Sequence, residues 1–254
     1  MDIVDDPSTV EAIQSRIMRA KVAIFGIGGV GGWIARELVM MGFRRLVLVD
    51  PDTTEGADVA RHAFSDAANS GVPKVDVVAE GLRAIDPDVD IETAQIALNV
   101  GSRLEELVAD VHVIVNTADD PYIGYTSVKL SRYAVKHNLP LLIAGGFDAH
   151  LASFGEMIVP GRTPCADCYV RHFKTALADW KPVPHPVENR RGGFGGWAPL
   201  SIISASSAAL MLLKYFIDPE LVVKGGRIEF LATDYSIQSF EVARDPNCRI
   251  CGNS

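Results

Sequence analysis

Two cysteine pairs, Cys165-Ala-Asp-Cys168 and Cys248-Arg-Ile-Cys251, hold all four cysteines of the chain. Two C-x-x-C knuckles can bring four thiolates to a tetrahedral zinc ion and leave no open position, which makes a structural site. A redox pair or two local disulfides are the alternatives. Far upstream the chain reads FGIGGVGGW, from Phe25 to Trp33. Gly26, Gly28 and Gly31 fit G-x-G-x-x-G: one glycine for a tight turn, one for close approach of phosphate, one for close helix–strand packing. Asp50 ends the next apolar run, where a carboxylate can accept ribose hydroxyls. These residues suit a nucleotide but do not separate NAD from ATP. A glycine-rich turn and a surface acid are the plain alternatives.

The elements around these residues follow from periodicity. Lys21–Gly28 is a continuous apolar run and reads as a buried parallel strand. Gly32–Gly42 has helical spacing and ends in glycine, and Arg45–Asp50 reads as the next buried strand. Strand, glycine loop, helix, strand and acid make a right-handed βαβ unit. Helices are expected over Val10–Arg19, Lys74–Ile85 and 123–138. Strands are expected over 89–98, Val111–Asp119 and 139–147. The alternation argues for a Rossmann-like α/β fold with a mostly parallel sheet flanked by helices. From about Leu151 the pattern shifts to exposed-face, antiparallel strands, a C-terminal extension braced by the cysteines. Ala198–Ile217 reads as a strong buried helix. One domain is expected over residues 1–254, with an ATP-binding half at 20–150 and a zinc-binding, substrate-side half at 151–254. A loop at about 176–197, rich in Pro, Gly and charge, is long enough to be functional or mobile.

Composition narrows the class. The chain has 254 residues, 48% of them hydrophobic, and a net charge of −8. No lysine/arginine run is present, so nucleic acid is not the expected partner. No secretory signal is legible. The longest apolar stretch, around 208–217, contains Lys214 and is too short to span a bilayer. A cytoplasmic protein with no membrane partner is expected, and there zinc is favoured over disulfides.

Downstream motifs carry a resemblance. Asp50 and Asp52, Asp58-Val59-Ala60-Arg61-His62, Pro73-Lys74 and Ala118-Asp119 follow the glycine loop in order. This order is similar to that of the ThiF/MoeB/ubiquitin-activating-enzyme-like adenylyltransferases, over nearly all of the chain from Lys21 to Gly252. The family pattern runs G-x-G-G-x-G, D-x-D, N-L-x-R-Q, P-K, then an acid at a strand end. Asp58 stands where the family has Asn, and His62 where it has Gln. The resemblance implies that Gly26, Gly28, Gly29, Gly31, Asp50 and Asp52 bind ATP. It also implies that Arg61 and Lys74 act on the triphosphate and that Asp119 holds Mg²⁺. The chemistry suits those types: a carboxylate attacks the α-phosphate, pyrophosphate leaves, and cations stabilise the developing charge. A hard divalent ion held by one carboxylate and substrate phosphates is the ordinary Mg²⁺ arrangement. The family likewise places a zinc at Cys165, Cys168, Cys248 and Cys251.

The expected activity is ATP-dependent AMP transfer to a carboxylate, or activation of a carbonyl, of a peptide, small carrier protein or natural-product precursor. Ubiquitin-type activators use a further cysteine before the APL helix. This chain has ENRRGGFGGWAPL there, so no thioester step is expected. Segments such as QIALN (Gln95–Asn99), TADDP (Thr117–Pro121), IAGGF (Ile143–Phe147) and VPGRTPCADC resemble the MccB-like, peptide-modifying branch. That branch's N-terminal peptide-clamping domain and N-terminal arginine have no match, although Arg16 and Arg19 lie nearby. Arg190 and Arg191 in the long loop suit a substrate carboxylate. Trp197 reads as a packing residue and His185 as structural or exposed. Asp148 and His150 sit where a pocket role is permitted. A homodimer is expected. The other readings are a sulfur-carrier-protein activator, an NAD(P)-dependent oxidoreductase and a catalytically silent subunit of a heterodimeric activator.

Overall fold

The computed structural model describes residues 7–145, 151–176 and 197–252. Lys21–Phe25 forms β1, buried at every position. Arg45–Val49 (β2), Asp90–Ala94 (β3), Val113–Asn116 (β4) and Leu141–Ile143 (β5) join it in parallel. Glu156–Ile158 (β7) closes the sheet antiparallel to β5, giving the order β3-β2-β1-β4-β5-β7. Largely apolar runs form β1, β2, β4 and β5 because both faces are covered, whereas the edge strand β3, with the sequence DIETA, is buried only at Ile91. Val22 and Ile24 of β1 face one core, with Ile34 and Leu38, while Ala23 and Phe25 face the other, with Leu130 and Ala134.

The helices supply those two layers. Pro7–Arg19 (α1), Gly31–Met40 (α2), Lys74–Ile85 (α3) and Ala198–Ile217 (α7) contribute to the first core. Ile123–Lys136 (α5) lines the second, with the short Leu104–Leu107 (α4) and the start of Ala166–Ala176 (α6). Leu151–Ser153 (β6), Gly226–Leu231 (β8) and Ile237–Glu241 (β9) form a separate antiparallel sheet, ordered β6-β8-β9. The α/β fold, its mostly parallel sheet and the antiparallel extension agree with the sequence reading.

Several local expectations are corrected. The segment 151–159 is not exposed-face: β7 is fully buried because it completes the main sheet, and β6 is covered by α7. The strand expected over 89–98 stops at Ala94. Trp197 is not packed but 69% exposed, at the N-cap of α7. α7 has the bounds read from sequence, and by length and composition alone this 20-residue helix is long and apolar enough to cross a membrane, which the stretch 208–217 was not. One face of it, including Leu200, Ser204, Ala208 and Leu212, is buried against the protein. Arg16, not matched to the family's N-terminal arginine, donates from Nη1 to the Phe216 carbonyl at the end of α7 at 2.8 Å. Asp148, His150, His185, Arg190, Arg191 and loop residues 177–196 lie outside the described residues.

Candidate active site and metal centre

The glycine loop runs from the end of β1 into α2. Gly26 has φ +88°, and a Cβ there would come within 2.5 Å of the Ala118 nitrogen. Only glycine therefore lets the loop pass against the chain leaving β4. Gly31 is tighter still, since a Cβ would lie 1.9 Å from the Gly26 carbonyl oxygen. Gly31→Ala is expected to destabilise the protein by about 3 kcal/mol or more, read from chemical unfolding. Gly28 differs, with only the His62 ring, at 3.9 Å, in reach of a Cβ. That space is what a phosphate needs. The first turn of α2 adds the partial positive charge of a helix N-terminus.

Asp50 braces this loop. Its Oδ2 accepts the Ile27 N–H at 2.6 Å and its Oδ1 accepts the Asp52 N–H at 2.9 Å. Burial pushes its pKa up, against the pull of those two bonds and of Lys74. The Asp52 carbonyl accepts the Lys74 N–H, and the Lys74 Nζ lies 3.0 Å from Asp52 Oδ2. Lys74 is thus fixed at the first turn of α3 by both ends of Asp52.

Arg61 reaches the loop from the other side. A short 3-10 helix, Gly56–Ala60, delivers it, and Trp33 of α2 donates its indole N–H to the Arg61 carbonyl at 3.0 Å. The Arg61 side chain lies over Gly29, with Cδ 3.1 Å from where a Cβ would stand. Ser201 of α7 approaches the same point at 3.4 Å. Its buried hydroxyl is one of few such groups with no hydrogen-bond partner among the described residues. An orphaned hydroxyl beside an open glycine loop fits an incoming acceptor such as a phosphate oxygen.

Asp58 joins the cations. Its carboxylate lies 3.6 Å from Arg61 Nη2, 3.7 Å from Lys74 Nζ and 3.2 Å from His62 Nε2. It also accepts the Glu55 N–H at 2.9 Å, closing a capping box. Asp58 and His62 are only 3% and 8% exposed.

Asp119 is exposed, just past the C-terminal end of β4, next to the Ala118 backbone that Gly26 touches. A polar lattice fixes that turn. The buried Asn116 accepts the Ala118 N–H at 3.2 Å and donates to Thr126 and Ser127. Thr126 donates to the Ala118 carbonyl at 2.5 Å, and Thr117 donates to the Gly26 carbonyl at 2.6 Å. The site thus gathers the glycine loop, Asp50, Asp52, Arg61 and Lys74, with Asp119 at the adjacent strand end. Asn116, Thr117, Thr126 and Ser201 were missed in the sequence. Single polar residues within apolar helices and strand ends were the only signal for them.

The four cysteines stand apart from this loop, in the second core. Cys165 lies 3.5 Å from Cys248 and 3.9 Å from Cys168, and Cys168 lies 3.5 Å from Cys251. A tetrahedron of Zn–S bonds has edges of about 3.8 Å, whereas a disulfide bond is about 2.0 Å. All four sulfur atoms lie within 4.8 Å of one another and could hold a metal ion. The N–H groups of Asp245 and Ile250 point at Cys168 and Cys248 sulfur. Burial pushes the Cys165 thiol up and the Cys168 thiol to about 11, so thiolates there call for a cation. The donor set fits zinc.

Comparison with known proteins agrees. The ThiF family matches residues 5–250. The chain belongs to that family. Protein HesA of Nostoc sp. is 29% identical over 259 residues, spanning 97% of this chain and 90% of its own. The sulfur carrier protein adenylyltransferase of Thermus thermophilus is 26% identical, spanning 94% of this chain and 85% of its own. Among solved structures, E. coli MccB with ATP superposes with a TM-score of 0.76 at 24% identity, over 95% of this chain and 69% of that one. That likeness is one of fold. The enzyme class is that of the ThiF/MoeB-like adenylyltransferases, as the sequence resemblance implied.

Proposed function

We propose that this protein uses ATP·Mg²⁺ to adenylate a C-terminal carboxylate of a peptide or small carrier protein, without a thioester on its own cysteines. One observation carries the reading. Arg61 and Lys74 converge on a glycine loop that is open at Gly28 and faces the orphaned Ser201 hydroxyl. Two fixed cations there suit a triphosphate, and hydride chemistry requires neither.

The roles follow from position. Gly26, Gly28, Gly29 and Gly31 admit the phosphates, and Asp50 and Asp52 hold the loop and meet the ribose. Arg61 and Lys74 neutralise charge as the substrate carboxylate oxygen attacks the α-phosphorus. A carboxylate–phosphorus bond forms, the α–β phosphoanhydride breaks, and pyrophosphate leaves. Asp119 would hold Mg²⁺, which supplies charge neutralisation on the phosphate oxygens. All four thiols sit in one buried cluster, which supports acyl transfer to an external nucleophile. In this reading ATP lies on the 20–150 half and the zinc-braced half completes the substrate side. A homodimer goes with it; exposed Met40 and Leu210, on the adjoining α2 and α7, supply apolar surface.

The related sulfur carrier protein adenylyltransferase favours a carrier protein as substrate, and the MccB structure bound to N-formylated MccA favours a peptide. ATP–pyrophosphate exchange separates them. Exchange is expected only with one carboxylate-ended partner, and to fall roughly 100-fold in Arg61→Ala or Lys74→Ala. Binding of NADH with no ATP binding overturns the proposal.

A further inference from the structure

Asp58 and His62 are the two side chains that depart from the family pattern at the nucleotide site. They are buried and in contact, with Nε2 of His62 3.2 Å from Oδ1 of Asp58. An ionised aspartate accepts only, so the neutral ring donates Nε2–H and Nδ1 is the position left to take a second proton. The same ring is the nearest group to the open side of Gly28.

The groups facing His62 come from three elements. Its own 3-10 segment brings Asp58 and Arg61, the start of α3 brings Lys74, and the β2 exit brings Asp52. The glycine loop adds backbone. In the free site, burial pushes the His62 pKa down to about 4, with Lys74 and Arg61 adding to the effect and Asp58 opposing it. His62 is therefore neutral at neutral pH. A triphosphate reverses the balance. It offers Arg61 and Lys74 oxygen partners in place of Asp58, and it brings its own negative charge to Gly28. Asp58 then keeps one neighbour able to gain charge.

We propose that ATP binding here is linked to uptake of one proton by His62, which becomes an imidazolium held by Asp58 beside the phosphates. The proton comes from solvent and goes to Nδ1, and no covalent bond changes. His62 is a positioning residue in this scheme: it restores neutrality around Asp58 once the two cations turn to the nucleotide. This inference rests on the ATP reading above.

The sign is fixed by linkage. A group whose pKa rises on binding makes the complex hold more protons, so affinity increases as pH falls through the bound-state pKa. If that value reaches the ordinary histidine range, ATP should bind roughly fourfold tighter at about pH 6 than at about pH 8.

The test is calorimetry of ATP·Mg²⁺ binding to the full chain in buffers of different ionisation heat, at about pH 6, 7 and 8. The expected result is uptake of a fraction of a proton per ATP near pH 6, vanishing by pH 8. In His62→Gln the excess uptake and the fourfold affinity change should both be lost. The nucleotide's own protonation is common to both proteins and cancels in the difference. If His62→Gln does not fold, Asp58→Asn replaces it, since removing the carboxylate leaves the imidazolium unsupported. ATP binding with no proton uptake in the parent, or with equal uptake in the variant, overturns the linkage and leaves the ATP reading intact. No ATP binding at any pH overturns both.

Discussion

Asp119→Ala is expected to lower partner-dependent ATP–pyrophosphate exchange by roughly 1,000-fold while leaving thermal unfolding within about 2 °C of the parent. The two halves of that expectation have separate causes. The exchange loss follows from charge. In the proposed reaction AMP transfer spreads negative charge over the phosphate oxygens, and a Mg²⁺ ion held by Asp119 would neutralise it beyond what lysine and arginine supply. Arg61 and Lys74 sit on the side of the loop facing α3 and the 3-10 segment. Asp119 follows Ala118, whose backbone meets Gly26 from the β4 side. The unchanged stability follows from what holds the turn. Asn116, Thr117 and Thr126 fix it through the Ala118 and Gly26 backbone, bonds that a side-chain change at the exposed Asp119 leaves in place. The measurement is exchange against Mg²⁺ concentration. A variant within tenfold of the parent would remove Asp119 from the metal site. Asn116→Ala is the contrasting case, because it attacks the brace and costs stability as well as rate.

The parts of the molecule legible in sequence share one property: their pattern is local. β1 and β2 are buried on both faces, so their apolar runs are continuous. α3 and α7 could be bounded because Pro73 and Ala198-Pro199 mark their starts. The glycine loop was readable because its glycines recur at a fixed local spacing, although only Gly31 answers a steric demand within a few residues, the Gly26 carbonyl, while Gly26 itself is required by Ala118. The rest depends on distant partners. β7 reads as a half-exposed strand, and only its pairing with β5 and a second covering layer bury it. Ser201 is one serine among several in α7 until the fold sets it at Gly29. Asp58 looks like a plain departure from Asn in a motif. Arg61 and His62 stand at helical spacing from it, but its burial and its third partner, Lys74, come only with the fold.

Cys165→Ser should reduce bound zinc from about one ion per chain to none and unfold the C-terminal part of the molecule, leaving the β1–β2–β4 core folded. The cluster ties the start of α6 to residues 248–252, at the end of the chain's second core. Every strand residue of the first core packs without any cysteine. Structural zinc in small sites contributes on the order of 10 kcal/mol, comparable with the roughly 5–15 kcal/mol margin of one folded domain, so its loss is large wherever it falls. It falls on the second core, which Ala23, Phe25, Val47, Val49 and Ile114 share with the cysteines, while the opposite faces of β1, β2 and β4 keep their packing in the first core. Serine keeps the size but not the thiolate, so three ligands remain in a pocket where burial already opposes the charged form. Hydrogen exchange locates the effect: protection should vanish over 165–176 and 226–252 and persist in β1, β2 and β4. Acid should act in the same direction as the substitution, since protons compete with the metal for thiolates. Protein purified without chelator and carrying no metal would exclude the zinc. So would a serine variant whose exchange pattern matches the parent, because four thiols packed as a small apolar cluster would then account for the geometry.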